Sequence, residues 1–494
     1  MNIEQIREKI PLYAKRAADV LLENGFEAYL VGGSVRDIML GKEPSDFDIA
    51  TDADPDQMQK IFPKTVATGA KFGTITVIVE DRQGERIDVE VTTYRSESDY
   101  IGSRWPSKVE FTKRIDEDLK RRDFTINALA INFARLHETS AIVEDIVLDL
   151  FEGMKDIEQR IIRAVGDPKE RFSEDALRTL RACRLASQLD FEIEENTFGA
   201  IGQVIDAVDN LSVERIRDEL LKILYKSPRP SKGFDLLRLS GLLELFIPEL
   251  LAGIGVEQPE YHVDDVYTHT LKVVDLAQDE VKVAALLHDI AKPSTKSVDD
   301  KGVHFYHHDV EGANVAEKIM RRLKFPKKEI EKVSLLIKHH MFYYPSADWR
   351  KGQEQDMLQK KDLEELRREG DAEKIVGGWT DAAVRRFLSR VGGVDNVNDL
   401  IKLRIADATA NPKSTFTNYE IKALQERISR IIEQEAALKL TDLDIDGNDL
   451  IELGVEKGPQ MGEILNFLLE YVLDNPEVNS KEKLSSIVKE EFLK

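Results

Sequence analysis

Val31-Gly-Gly-Ser-Val-Arg-Asp-Ile-Met-Leu-Gly41, then Lys-Glu-Pro-Ser, then Asp46-Phe-Asp48-Ile-Ala-Thr51 is the stretch that decides the fold of this chain. The apolar run from Ala28 to Val31 predicts a strand that ends in Gly32-Gly33. Paired glycines let a backbone pass close to a ligand and turn their amides towards a phosphate. Ser34 to Leu40 predicts a short helix with Arg36 in its first turn. Asp46 and Asp48 alternate in the strand expected next, so a period of two sets both carboxylates on one face and Phe47 on the other. Two carboxylates beside a phosphate-cradling turn suit Mg²⁺ and a nucleoside triphosphate, because Mg²⁺ takes hard oxygen ligands and shares its shell with phosphates. The glycines lack the G-x-G-x-x-G spacing of a dinucleotide fold.

This stretch resembles motif A of the class II tRNA nucleotidyltransferase and bacterial poly(A) polymerase family, which belongs to the polymerase-β-like nucleotidyltransferases. The resemblance implies transfer of a nucleoside monophosphate to an RNA 3′ hydroxyl, with pyrophosphate leaving. It makes Asp46 and Asp48 the catalytic, Mg²⁺-binding pair, and it puts Gly32, Gly33, Arg36 and Asp37 against the incoming nucleotide.

Further along, Arg121-Arg122-Asp123-Phe-Thr-Ile-Asn127 matches motif B of the same family. Helical spacing would put Asp123 and Asn127 one turn apart on one face, while adjacent guanidiniums suit phosphate and ribose. Glu174-Asp175-Ala-Leu-Arg178-Thr-Leu-Arg181-Ala-Cys-Arg184 sets Asp175, Arg178, Arg181 and Arg184 at three-residue steps, a slowly rotating helical stripe. By spacing alone this is a solvated charged face. By resemblance it is motif D, in which Asp175 and Arg178 read the base edge of CTP or ATP and Arg181 and Arg184 bind phosphates. Residues 145–163 resemble motif C less closely, without its common Gly-Gly pair, and Leu211 to Lys222 resembles the structural helix–turn of motif E. Asp88 and Glu90 alternate on a predicted strand, Arg86–Thr93; the pattern fits a third metal carboxylate and an exposed polar face equally well.

Eight of the nine histidines lie between 262 and 340. Tyr267-Thr-His269, His288-Asp289-Ile-Ala-Lys292, His307-His308-Asp309 and His339-His340 carry most of them. Imidazoles next to carboxylates suit a divalent transition metal. The pattern resembles an HD-type phosphohydrolase domain, with His269, His288, Asp289 and Asp407 as its metal set and Ni²⁺ or Mn²⁺ as the implied ion. His308 and His339 are expected to line the pocket or hold a second metal.

The chain is long, 494 residues, with 42% hydrophobic and 33% charged residues. Three or more domains fit that length. The expected class is α+β, a small polymerase-β-like α/β nucleotidyltransferase head followed by an all-helical body containing an HD domain. Expected boundaries are 1–150 for the head, 151–250 for a helical nucleotide-recognition and RNA-binding region, 251–410 for the HD domain and 411–494 for a helical tRNA-binding tail. Helical periodicity is expected to dominate from about Arg114, and residues 2–25 read as one amphipathic helix. No apolar run approaches the ~20 residues of a membrane span. A single cysteine, Cys183, and an N-terminus without a signal peptide's apolar core point to the cytoplasm.

A net charge of −22 disfavours prolonged, nonspecific RNA binding but not a compact RNA held on a local basic patch. Basic residues do cluster at 104–122 and at Arg321, Arg322, Lys324, Lys327 and Lys328. The activity expected is therefore building or repair of the tRNA 3′-terminal CCA from CTP and ATP. Alternatives are an A-adding or CC-adding specialist, a bacterial poly(A) polymerase, and an HD hydrolase of nucleotide signals with a sensing head. The segment from Tyr94 to Pro106 resembles the flexible loop that CC-adders lack.

Overall fold

Pro11 breaks the N-terminal helix into two, Ile3–Lys9 and Leu12–Glu23, where one helix was expected. Proline has no N–H to give and pushes the residue before it out of the helical region; Ile10 is extended at φ −87°, ψ 115°. The computed structural model describes residues 2–80, 86–101, 105–138, 141–259, 263–300, 302–342, 379–413, 418–433 and 438–493. The hairpin signal at Asp81–Gly84, Arg104, His262 and the charged stretch Arg350–Lys374 lie outside them. Two compact units divide the chain, Met1–Leu251 and Ala252–Lys494.

The first unit is built on strands β1 (Tyr29–Val31), β2 (Asp48–Thr51), β3 (Thr65–Gly69), β4 (Thr74–Glu80), β5 (Arg86–Thr93), β6 (Arg95–Ile101), β7 (Trp105–Phe111), β8 (Leu129–Asn132) and β9 (Val147–Asp149). Seven of them form one mixed sheet in the order β3-β4-β5-β2-β1-β8-β9, and β6 pairs with β7 as a separate antiparallel ribbon. β2 runs parallel to β5 and antiparallel to β1. Ile49, Val91 and Leu30 are fully buried in the middle of the sheet. Each such side chain contributes about 1.5–3 kcal/mol by leaving water.

Helix does not take over at Arg114 as expected, because β8 and β9 return to the sheet. Leu129, Ala130 and Ile131 are buried on both faces, and a short continuous apolar run carries no period that separates strand from helix. Beyond β9 the first unit is helical, with one two-residue ribbon between Ile161–Ile162 and Glu192–Ile193. Helix Leu177–Leu189 packs against helix Val213–Lys226.

Among the described residues, the second unit is helical except for an antiparallel hairpin, Lys296–Asp299 with Gly302–Phe305. Helices Val266–Leu276, Lys282–Leu287, His308–Arg322, Lys327–His339 and Val394–Ala410 surround a histidine-rich centre. Helices Gly447–Glu452, Pro459–Asp474 and Lys481–Phe492 close a separate apolar core around Leu450, Ile464, Leu468, Val472 and Leu484. Among the described residues, no helix is long and apolar enough to cross a membrane.

Cys183 is fully buried in helix Leu177–Leu189, and burial pushes its thiol up to about 12. At pH 8 the thiol therefore stays protonated, and the thiolate is the reactive form. Iodoacetamide at pH 8 is therefore expected to leave the native chain unlabelled and to modify Cys183 in denaturant. Mass spectrometry showing rapid labelling of the folded chain would contradict the packing.

Candidate functional site

The carboxylates of the head gather where β1, β2 and β5 lie side by side. Asp48 is the first residue of β2 and faces Val31, the last of β1. Asp46 is not in the strand, as expected from its alternation, but in the exposed approach to it. The register of β2 on β5 pairs Ile49 with Val91 and so brings Glu90 up to Asp48. Burial, then Asp46 and Glu90, push the Asp48 carboxyl up to about 6, against the opposing pull of Arg122. Asp46 and Glu90 thus add to the cost of ionising Asp48, the arrangement that a divalent cation relieves. Of the two alternating acids on β5, Glu90 is the one that acts on Asp48.

Gly32 follows β1 at φ +78°, and a Cβ there would meet Arg122 Nη1 at 3.0 Å. The positive φ favours glycine, and a Cβ would also push against the guanidinium. Helix Gly33–Met39 starts at once, and Arg36 donates to Asp37 Oδ1 at 2.9 Å and to Asn127 Oδ1 at 2.7 Å. Asn127 in turn donates to Asp123 Oδ1 at 3.2 Å, although the segment is a 3₁₀ turn, Thr125–Asn127, and not the α-helix expected. Arg121 and Arg122 are both held by the buried carboxylate of Asp118, at 2.8 and 3.1 Å.

The charged stripe of motif D is not a solvated face. Asp175 stands just ahead of helix Leu177–Leu189 in extended backbone, and Arg178 is buried. Arg178 donates to Glu174 Oε2 at 2.6 Å and to the carbonyls of Arg171 and Arg121 at 2.9 and 2.8 Å. Arg181 pairs with Asp123 at 2.7 Å, which joins motif D to motif B. Burial opposes ionisation of Asp123, but Arg181 and the Asn127 amide hold its carboxyl below the usual range. Arg184 pairs with Glu219 at 2.6 Å. Arg181 and Arg184, expected as phosphate ligands, are thus committed to carboxylates of neighbouring elements.

In the second unit, two ligand trios share one small volume. His269, His288 and Asp407 form one, and Asp289, His308 and His340 the other, each with ligand atoms within 4.8 Å of one another. Asp289 stands between them, with Oδ2 3.1 Å from His288 Nε2 and Oδ1 3.6 and 3.8 Å from His308 and His340 Nε2. Lys292 pairs with the same carboxylate at 2.7 Å. Three histidines share one device. Nδ1 of His288, His308 and His340 each donates to a backbone carbonyl three residues earlier, at 2.8, 2.7 and 2.6 Å. A carbonyl only accepts, so in a neutral ring Nε2 carries the lone pair. The buried Nε2 atoms of His308 and His340 have no hydrogen-bond partner among the described residues. That of His288 faces Asp289, which with Asp407 raises the ring's pKa against burial. Burial and the neighbouring His288 and His308 push the His340 ring down to about 4, which keeps it neutral at pH 7. Such a donor set fits divalent metal.

The histidine expected beside His308 was His339, and the structure puts His340 there instead. His339 ends its helix half-exposed, with its ring lowered by burial and by Lys338 and Arg390. Neighbouring residues on a helix point about 100° apart, so only one of the two can face the centre.

Four family models match the chain. They are the poly(A) polymerase head domain over residues 28–163, the RNA- and SrmB-binding region of polymerase A over 190–254, the HD domain over 264–377, and tRNA nucleotidyltransferase domain 2 over 408–488. Domain by domain, the chain is similar to tRNA nucleotidyltransferases and poly(A) polymerases along most of its length. It is 50% identical over 218 residues to the CCA-adding enzyme of Enterococcus faecalis, covering 44% of this chain and 50% of that protein. It is 43% identical over 250 residues to that of Lactococcus lactis subsp. lactis, covering 51% and 59%. The chain therefore spans about half the length of these curated relatives. The crystal structure of the Bacillus stearothermophilus CCA-adding enzyme in complex with CTP matches 97% of this chain and 96% of its own, with 26% identity and a TM-score of 0.64. The fold is shared too by the Thermotoga maritima CCA-adding enzyme complexed with tRNA, at 20% identity, coverage of 99% and 98%, and a TM-score of 0.53. Nucleotidyltransferase and HD domains both imply divalent metal.

Three residues of these sites were not singled out from sequence. Arg215 pairs with Asp175, Asp118 holds Arg121 and Arg122, and His340 completes the second trio. A signal existed for His340, since Ile330, Val333, Ile337 and His340 continue one three-to-four spacing along the buried face. Nothing local marks Arg215 or Asp118.

Proposed function

We propose that this chain is a template-independent RNA nucleotidyltransferase that builds or repairs the 3′-terminal CCA of tRNA from CTP and ATP. The observation that carries the proposal is the convergence of Asp46, Asp48 and Glu90 on the Gly32–Gly33 turn, with Arg122 packed over it. The CCA-adding names of the relatives and the CTP-bound neighbour support it. The new bond joins the RNA 3′ oxygen to the α-phosphorus, and the bond from that phosphorus to the β-bridging oxygen breaks, releasing pyrophosphate. Mg²⁺ held by Asp46 and Asp48 would lower the pKa of the hydroxyl and stabilise charge on the leaving phosphates. Gly33, Arg36 and Arg122 would receive the triphosphate, and Asp37, Asp123 and Asn127 would hold Arg36 in place.

Asp175 and Arg178 are the proposed base readers, an acceptor for the exocyclic amine of cytosine or adenine and a donor to a ring acceptor. On this division the head would occupy 1–150, nucleotide recognition 151–250, the HD domain 251–410 and the tRNA-binding tail 411–494, in a cytoplasmic protein.

The deciding experiment offers tRNAs ending at the discriminator base, at C and at CC, with CTP and ATP supplied separately. Two C additions followed by one A are expected. Addition of A alone would make the chain an A-adding specialist, C alone a CC-adding one, and long A tails a poly(A) polymerase. The loop at Tyr94–Pro106 that bears on this choice falls partly outside the described residues. Asp175→Ala and Arg178→Ala are expected to admit UTP and GTP while weakening CTP and ATP, by about 10–100-fold in discrimination if each reads its base like a good bidentate contact. Equal slowing of all four nucleotides would refute base reading.

The two ligand trios favour a second activity, hydrolysis of phosphoesters at an HD site holding Ni²⁺ or Mn²⁺. 2′,3′-Cyclic phosphates and 3′ phosphates on damaged tRNA ends are the proposed substrates, because either blocks the hydroxyl that addition requires.

A further inference from the structure

Asp175 is anchored from two sides, and one of the anchors comes from a different helix. Its Oδ1 accepts the Leu177 amide at 3.1 Å, and its Oδ2 accepts Arg215 Nη2 at 2.9 Å. Arg215 stands in the first turn of helix Val213–Lys226. Glu219, one turn further along, holds Arg184 at 2.6 Å, so this one helix grips the motif D stripe at two points. Arg178 needs no such help, since Glu174 and two backbone carbonyls already fix it. Asp175 does need it. It lies in extended backbone between two helices, at φ −142° and ψ 102°, and without Arg215 a single amide would orient its carboxylate. The pair sits at an accessible edge, with the Asp175 side chain 18% exposed and that of Arg215 30%.

We propose that Arg215 is a specificity-determining positioning residue, whose guanidinium orients the Asp175 carboxylate as an acceptor for the exocyclic amine of cytosine or adenine. A carboxylate has about four lone-pair sites. The two anchors leave room for the exocyclic amine of cytosine or adenine, whereas uracil and guanine present a carbonyl at that position, which an acceptor cannot bond. The inference rests on the reading of Asp175 as a base reader given above.

The test compares kcat/KM for CTP, ATP, UTP and GTP in the full chain, on tRNA ending at C and at CC. Arg215→Ala is expected to lower the CTP-to-UTP ratio about tenfold or more, the effect of losing one charge-assisted hydrogen bond. Arg215→Lys, which keeps the charge, is expected to recover part of the ratio. Asp175→Asn is expected to cause the same loss, and adding Arg215→Ala to it to cause no more, since both act through one pair. Should Arg215→Ala melt below the assay temperature, Arg215→Gln gives the same readout with more of the side chain retained. An unchanged ratio with all four nucleotides equally slowed would make Arg215 a helix clamp and overturn the proposal. Asp175→Asn separates the two levels. If it keeps the ratio, base reading itself fails; if it loses the ratio and Arg215→Ala keeps it, only the role of Arg215 fails.

Discussion

Asp46→Asn and Asp48→Asn are each expected to lower nucleotide addition about a thousandfold or more, for CTP and ATP alike, without unfolding the head. A metal ion contributes several kcal/mol to stabilising charge on phosphoryl oxygens, and each 1.4 kcal/mol is about tenfold in rate. The fold is expected to tolerate the change because these carboxylates serve the site at a cost. Asp46 is exposed, and the Asp48 carboxyl is raised to about 6 by burial and by its acidic neighbours. A carboxyl raised on folding favours the native state only at low pH, and that contribution is lost as pH rises through about 6. At pH 7 the ion-free head therefore carries an unfavourable charge that asparagine removes. Asp48→Asn should melt no lower than the parent chain without Mg²⁺. Single-turnover addition to tRNA ending at the discriminator base, together with thermal melting, measures both. Near-normal turnover in either variant would remove the head as the polymerising site.

The head was legible in sequence because its signals are local. A glycine pair, a strand and two acids within 21 residues need little tertiary context, and only the position of Asp46 outside the strand differed. What sequence spacing missed is what non-local packing decides. The stripe at Asp175, Arg178, Arg181 and Arg184 has the spacing of a solvated helix face, yet it is held by partners 35 or more residues away, Arg121, Asp123, Arg215 and Glu219. Asp88 and Glu90 looked equivalent because alternation gives the face of a strand but not which strand lies beside it. The parallel register of β2 on β5 made the choice. Apolar β8 and the histidine pair at 339–340 failed differently. In one the period is absent, and in the other it had to be followed back three turns along the helix to see which residue points inward.

Asp289→Asn is expected to strip the second unit of its metal and of phosphoesterase activity, while addition by the head continues at the parent rate. The two oxygens of Asp289 face both trios, so its loss weakens both at once, whereas loss of His308 or His340 weakens one. Its carboxyl is held well below the usual range, against burial, by His288 and Lys292. Removing that charge leaves the buried Lys292 ammonium without its charge partner, with only Gln258 Oε1 at 2.8 Å and the Phe305 ring beside it, which costs up to about 3–5 kcal/mol in such settings. The variant is therefore expected to melt lower as well as to lose metal, and instability alone could mimic the functional loss. His340→Ala separates the two effects. The His340 ring is neutral at pH 7 and offers Nε2 without surrendering a charge pair, so its removal should cost metal with much less stability. Metal content after loading with Ni²⁺, Mn²⁺ or Mg²⁺, hydrolysis of a 2′,3′-cyclic phosphate, and CCA addition are the three readouts. Loss of the first two with the third preserved, in both variants, makes the sites separable. A parent chain that takes up none of these ions and cleaves no phosphoester would leave the six ligands as a purely structural cluster and end the proposal of a second activity.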